Sequence, residues 1–448
     1  MNIIVAVDDK FGFSKNGGIP WKSGIDMKHF KNVTLHHVCI MGKNTFLSLG
    51  KPLIDRINIV VSKTLKTEHE NVLIFPDYIT AFNHAKNNYN KEIFCIGGLQ
   101  MYKEALADKE NLRKIYLTQI KGVYECDLCL NIDIYKHNQK ILFSNEDLKI
   151  TLLSGINESE ENYLSLLKKI LTEGELTETR NGKTYSLFAP ADLKFDLREG
   201  FPLLTTKKMF WRAIVEELIM FINGGTDATY LSNKGIKIWE PNTTSDFIKS
   251  RGLDYEPGDM GPMYGWNWRH FSANYLGKDA DYTNEGFDQL ANLLYMIKHD
   301  LTNCKRRLLI TTLDPSKVAQ SVLPPCHSLP IQFNISGEYI DCKMTQRSAD
   351  MFLGVPFNIA STALFHTLIG KVTGYLPRYL SLSLGDAHIY ADHKDCILEQ
   401  ITRKPFMYPS IKIKKEIGNL IELENITFSD IELCEYVSHP AIKANMVA

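Results

Sequence analysis

The first 120 residues alternate short apolar runs with amphipathic stretches. Ile3–Val7 (IIVAV), HHVCIMG ending at Gly42, INIVVSK ending at Lys63 and EIFCIGG ending at Gly98 have the length and composition of buried strands. Between them SGIDMKHFKNVT (23–34), KNTFLSLG (43–50) and LQMYKEAL (99–106) carry apolar residues at helical spacing. Strands alternating with helices in this way predict a largely parallel α/β sheet covered on both faces. Such sheets bind ligands beyond the carboxyl ends of their strands. Here those ends read Gly42-Lys43, Ser62-Lys63 and Gly97-Gly98. Glycine lets backbone approach a phosphate, and the helix start after each end supplies free N–H donors. The spacing is not a GxGxxG fingerprint. In the first helix Asp26, Met27 and Phe30 are expected on one face, and spacing alone leaves open whether Asp26 is a working acid or an anion placed near the helix start.

A hairpin over about Ile141–Leu153, turning at Asn145-Glu146-Asp147, closes this region and reads as short. GINESEE (155–161) is polar, acidic and without apolar periodicity, which marks a boundary. NYLSLLKKILTE (162–173) then resumes a helical pattern. The expected organisation is a domain over 1–155, a linker over 156–161 and a second domain over 162–448. In that second domain FWRAIVEELIMFI (210–222) is an amphipathic helix bearing the adjacent acids Glu216 and Glu217. Trp266 and Trp268 in GDMGPMYGWNWRHF read as core, and KIKKE near Ile413 reads as a solvated strand edge.

Composition narrows the class. A chain of 448 residues with 44% apolar residues, 23% charged residues and a formal net charge of -1 is an ordinary globular protein of two or three domains. Nothing in that balance calls for nucleic acid or a membrane as partner. No apolar run reaches the roughly 18 to 20 residues of a membrane span. Nine cysteines, an odd and scattered set, point to reduced thiols and a cytoplasmic setting. Cys126 and Cys129 form a lone CxxC, read as strand residues rather than a metal site.

The densest chemistry lies between Leu323 and Ser361. LPPCHSLPIQF sets Cys326 beside His327, and QRSADMFLGVPFNIAS follows with Arg347, Ser348, Asp350 and Asn358. A thiol beside cationic donors is a nucleophile, and such neighbours lower its pKa from about 8.5 to between 3.5 and 7.5, so ionisation near neutrality is expected.

These motifs, together with TRNGKTYSLF (179–188), FDLREGFPLLTTKK (195–208), KIWEPN (237–242), CKRRLLITTLDP (304–315) and LGDAHIY (384–390), resemble the thymidylate synthase family over residues 161–448, an α+β domain. The resemblance implies that Cys326 is the nucleophile toward deoxyuridylate (dUMP). It implies that Arg180, Arg347 and Ser348, with Arg306 and Arg307 from a second subunit of a homodimer, hold the phosphate. Asn358 would bind the uracil edge, and His388 and Tyr390 the ribose. Glu217 would organise water and protons, with Glu216 on a solvated face, and Tyr264 would help remove the C5 proton. Lys207, Trp239, Asn242 and Asp350 would serve the folate co-substrate, N5,N10-methylenetetrahydrofolate. Glu240, Leu313-Asp314 and the extra residue in CHSLPIQF depart from the family's commoner forms.

In the first domain IPW (19–21), the Asp26 helix, MGKNTF (41–46), PLIDR (52–56), IGGLQMY (96–102) and LTQI (117–120) resemble dihydrofolate reductase, in order, over about residues 1–155. That resemblance implies Asp26 as the acid on the pterin, Thr118 as its partner, Met27 and Phe30 as pocket walls, and Arg56 as a bidentate ligand of the folate carboxylate. Lys43, Thr45, Ser62 and Lys63, with Gly97 and Gly98, would hold NADPH, the two lysines suiting a 2′-phosphate. Ile54-Asp55 and Asn131 depart from the usual pattern. No metal is called for. Two family patterns in one chain imply two consecutive folate reactions; the alternative is a synthase alone, with the first domain an inert scaffold.

Overall fold

The computed structural model describes residues 1–66, 69–108, 111–132, 134, 138–154 and 157–445. The chain divides into two compact units, Met1–Ile156 and Asn157–Ala448.

The first unit is built on an eight-stranded sheet. Asn2–Val7 pairs in parallel with Ile93–Cys95 on one side and Lys114–Ile120 on the other. Val38–Gly42, Ile57–Val61 and Val72–Phe75 extend the parallel part. The apolar runs form the centre of the sheet because both faces are buried: Ile3, Val38, Ile40 and Ile59 lie in one cluster, Cys39, Met41 and Val60 in the other. The closing hairpin is longer than its sequence suggested. Leu148–Ser154 pairs along the whole of Lys114–Ile120, and Asn138–Ser144 pairs with it on the outside. It is therefore a full edge of the sheet.

The second unit contains a mixed sheet, as expected of an α+β domain. Tyr339–Asp350 and Leu376–Tyr390 run parallel, joined by the helix Gly354–Thr373, and the strands Glu175–Thr179, Gly182–Phe188, Leu193–Asp196, Leu309–Ile310 and Ile331–Ser336 join antiparallel. The helices Gly354–Thr373 and Trp211–Ile222 are buried along most of their length because they are apolar nearly all round.

The helix that opens this unit starts earlier than the apolar periodicity places it. The first helix of this unit begins at Glu158, with the Asn157 side chain accepting from the N–H of Glu160, so most of the segment read as a linker is helical. Acids in its first turn suit the helix dipole, which explains why a polar run without apolar periodicity is still helix. Glu160 is completely buried; burial raises its carboxyl, while the N–H and hydroxyl groups of Thr205 and Thr206 favour the ionised form.

Candidate functional site

In the first unit Asp26 sits in the helix Gly24–Thr34, which is capped by the Ser23 side chain. Burial raises its pKa, while a hydrogen bond to Thr118 on the adjacent strand pulls the other way. His29, one turn on, is itself pushed down by burial and faces Asp26 electrostatically. Asp26 is thus a part-buried acid paired with a buried threonine. Phe30 is half-buried and packs against the cluster of Met41, Phe46 and Phe94. Met27, one turn before Phe30, is 62% exposed and stays outside that cluster.

Arg56 closes a cavity of about 280 Å³ lined also by Lys31, Leu49, Leu53 and Ile54. Its guanidinium is already engaged: Nε and Nη2 donate to Thr34 Oγ1 (3.3 and 3.2 Å), Nη2 to the Lys31 carbonyl (3.0 Å) and Nη1 to the Ile54 carbonyl (2.7 Å). A bidentate fork is therefore not open unless some of these bonds are released.

At the strand ends the Gly42 N–H donates to the Gly97 carbonyl at 2.8 Å, bringing Gly42, Gly97 and Gly98 together. A Cβ on Gly98 would meet Thr45 Oγ1 at 3.3 Å, and one on Gly97 would meet the Tyr102 ring at 3.2 Å. The helices Lys43–Leu49 and Leu99–Ala107 start at Gly42 and Gly98 without side-chain caps, so their first N–H groups are open to a ligand. Lys43 Nζ donates to Thr64 Oγ1, Ser62 Oγ accepts from the N–H groups of Thr64 and Leu65, and Lys63 lies near Asp77. This cradle of glycine backbone, hydroxyls and two lysines fits a phosphate-bearing dinucleotide.

In the second unit the parallel strands align Ser348 with Asp386 and Asp350 with His388. They bring Arg347, Ser348, Asp350, His388 and Tyr390 to one end of the sheet. The Arg347 N–H donates to the Cys326 carbonyl (2.9 Å), and its guanidinium donates to the carbonyls of Pro325 (2.9 Å) and Pro324 (3.0 Å). Tyr264 Oη lies 3.4 Å from Cys326 Sγ and accepts from the Cys326 N–H at 3.2 Å. The tyrosine ring stacks between Phe221 and His327, with centroids 5.0 and 4.5 Å away.

Two expectations are overturned here. Burial raises the Cys326 thiol by more than Tyr264 and Arg347 lower it, so the free chain holds a protonated thiol at neutral pH. Burial pushes His327, stacked on the Tyr264 ring, down to about 3. Glu216 is not on a solvated face: it is 4% exposed and bonded to Lys234 Nζ (2.5 Å) and Tyr230 Oη (3.1 Å). The acid is shielded by Lys234 and Tyr230, with Arg212 one turn before it at 4.0 Å.

Glu217 is close enough to Tyr264 to act on it electrostatically. It accepts from Trp239 Nε1 at 2.7 Å, and burial pushes it up to about 7. Asn242 is buried on the turn Glu240–Asn242 that follows Trp239, and its Nδ2 has no partner among the described residues. Asn358 Nδ2 donates to Gln346 Oε1 (3.1 Å), whose own Nε2 donates to the Ser348 carbonyl (3.1 Å). Gln346 went unread in the sequence; the signal was a polar residue in the inward register of a strand, after Ile340, Cys342 and Met344. Asp350 Oδ1 accepts from the N–H groups of Phe352 and Leu353. Lys207 is buried, donates to the Phe352 carbonyl and stands 3.7 Å from the Phe352 ring, which pushes its pKa down to about 7 through burial; it is an interior residue and not a surface cation.

His388 Nδ1 contacts the Asp386 carbonyl and Tyr390 lies near Asn181 and Arg180. Arg180 is exposed on the hairpin turn, with Nε donating to Asn181 Oδ1. Arg306 and Arg307 are exposed, and Arg307 donates to the Asn303 carbonyl; within one chain neither joins the Cys326 group.

The second unit thus sets a cysteine against a tyrosine hydroxyl and an arginine, and the first carries a part-buried acid and a glycine-rich pair of strand ends. The family model for thymidylate synthase matches residues 161–448 and that for dihydrofolate reductase residues 1–147. The chain is 35% identical to the bifunctional dihydrofolate reductase-thymidylate synthase of Paramecium tetraurelia, over 99% of this chain and 98% of the relative. It is 35% identical to that of Leishmania major (99% and 94%) and 33% identical to bifunctional dihydrofolate reductase-thymidylate synthase 2 of Arabidopsis thaliana (99% and 88%). The chain belongs to the bifunctional dihydrofolate reductase-thymidylate synthase family, and it is an enzyme with both domains. The alternative of a synthase with an inert scaffold gains nothing from relatives that match it through both domains.

Proposed function

We propose that the second unit converts dUMP to thymidylate with N5,N10-methylenetetrahydrofolate, and that the first reduces the dihydrofolate so formed with NADPH. The observation that carries this reading is the placing of Tyr264 Oη against Cys326 Sγ, beside an Arg347 fixed on the proline carbonyls. Cys326 adds to C6 of the pyrimidine as its thiolate. Since the free thiol is held protonated, ionisation accompanies substrate binding, helped by Tyr264 and Arg347. Arg180, Arg347 and Ser348 take the phosphate, joined by Arg306 and Arg307 of the partner subunit in a homodimer. Their exposure in the single chain supports that assignment. Several forked guanidiniums match a phosphomonoester better than one.

Asn358, oriented by Gln346, binds the uracil edge, while His388 and Tyr390 hold the ribose. Glu217, poised near neutrality by burial, organises the water that passes protons, and Tyr264 assists removal of the C5 proton. Trp239, Asn242 and Asp350 contact the folate; the unpartnered Asn242 Nδ2 supports this. Lys207 serves the same side from within.

In the first unit Asp26 and Thr118 bind the pterin, Phe30 packs on it and Met27 covers it from the rim. Arg56 takes the folate carboxylate through the N–H it has left. Lys43, Thr45, Ser62, Lys63, Gly97 and Gly98 would hold NADPH, which supplies a hydride when bound. Asp26, raised by burial, favours the protonated pterin that accepts it. All nine cysteines are unpaired, which agrees with a reducing, cytoplasmic setting, and no helix among the described residues is long and apolar enough to cross a membrane. Two assays on the purified chain test the reading: NADPH oxidation with dihydrofolate, and thymidylate formation from dUMP and methylenetetrahydrofolate. Failure of either removes the corresponding half.

A further inference from the structure

The most heavily bonded acid in the second unit lies outside the chemistry above. Glu160, in the first turn of the helix Glu158–Glu173, accepts from both the N–H and the hydroxyl of Thr205 and of Thr206, at 2.7 to 3.0 Å. The two threonines are held from other sides as well. Gln400 Nε2 donates to Thr206 Oγ1 (2.9 Å), Arg403 Nη1 to the Thr206 carbonyl (2.7 Å) and the Phe406 N–H to Thr205 Oγ1 (2.8 Å).

The next residue is Lys207, whose ammonium donates to the Phe352 carbonyl. The Phe352 N–H is in turn held by Asp350 Oδ1 at 2.9 Å. A continuous run of bonds thus leads from a buried carboxylate at the start of the unit to an acid at the site. Only a carboxylate accepts at this many points; an amide would turn an NH₂ group onto donors and leave them unmatched in the interior.

We propose that Glu160 is a positioning residue for the folate side of the synthase: it locks Thr205-Thr206 so that Lys207 fixes Phe352, and with it Asp350. This rests on the reading of the second unit as a working synthase. Glu160 lies one residue before the stretch that the synthase family model matches, in a segment whose sequence looks like a linker.

The test uses the full-length chain as wild type, Glu160→Gln, Lys207→Met and the double variant, with dUMP saturating and methylenetetrahydrofolate varied. Glu160→Gln is expected to raise KM for methylenetetrahydrofolate about tenfold while kcat changes by less than about threefold. Calorimetric dUMP binding without folate and the NADPH-dependent reductase rate should stay at wild-type values. Because both residues act on one contact, the double variant should be no worse in KM than the poorer single one. An unchanged KM, or single effects that multiply in the double variant, would overturn the proposal. Thr206→Val, which removes one donor and leaves the carboxylate, gives a second reading if Glu160→Gln does not fold: a smaller rise in the same KM supports the proposal, and no rise overturns it. Wild-type turnover is measured first, since its absence would sink the synthase reading itself, whereas a normal wild type with an indifferent Glu160→Gln sinks this proposal alone.

Discussion

Trp239 Nε1 donates to Glu217 Oε1 at 2.7 Å, and this bond opposes the burial that lifts Glu217 to about 7. A donor to a carboxylate favours its charged form, so removing the donor raises the pKa. Synthase kcat/KM is expected to fall on the acid side through about pH 7 in the wild type. Trp239→Phe should move that limb to higher pH. Profiles of kcat/KM between about pH 5.5 and 9 check this, and a limb that stays in place would show that Glu217 does not set it.

Cys326 is held up by burial against the pull of Tyr264 and Arg347. Without ligands its alkylation by iodoacetamide, followed on the peptide that carries it, should still be rising with pH above the ordinary range of about 8.5. Arg347→Met should raise the apparent pKa further. A rate already flat at pH 7 would mean a preformed thiolate.

Glu216 and Lys234 form a pair in which the acid is buried and the lysine is partly exposed, with side-chain accessibilities of 5% and 31%. The two halves are therefore unequal. Lys234→Met strands a buried carboxylate and should cost about 2 kcal/mol, low for a broken buried pair because Tyr230 still donates to it. Glu216→Gln should cost less than about 1 kcal/mol, since the freed ammonium can turn to water. Urea midpoints of the synthase transition compare the two, and equal losses would contradict the asymmetry.

Much of this was legible from the chain. The parallel core of the first unit was readable because strands buried on both faces are apolar throughout, and Asp26 with Thr118 fell together as expected. What escaped was set by three-dimensional surroundings. Met27 stands one turn before Phe30 yet is exposed, because burial depends on what packs against the helix and not on spacing along it. Glu216 and Glu217 are indistinguishable in sequence, and only the elements packed around the helix decide that one meets Lys234 and the other Trp239. Proximity of Arg347 suggested an acidic thiol, but the size of the opposing desolvation depends on packing that no motif reports. Glu160 was hidden in a polar run because its four donors lie some 45 residues away.

Arg306 and Arg307 do not join the Cys326 group among the described residues, which fits the proposal that a second copy of the chain supplies them. Arg307→Ala and Cys326→Ser homodimers should each be poor or inactive. Unfolded together and refolded, they should recover roughly a quarter of wild-type synthase activity, because about half the dimers are mixed and each mixed dimer has one intact site. No recovery, with mixed dimers confirmed by analytical ultracentrifugation, would contradict the shared site.

The measurement that bears most directly on two separate centres in one chain is a paired assay of Cys326→Ser and Asp26→Asn. Cys326→Ser should lose thymidylate formation by at least about a thousandfold, since a serine hydroxyl is a poor nucleophile at neutral pH, while reducing dihydrofolate with NADPH at the wild-type rate. Asp26→Asn should slow the reductase by about a hundredfold or more and leave thymidylate formation intact. Loss of both activities from either single substitution, in protein that remains folded by circular dichroism, would contradict the two-centre account.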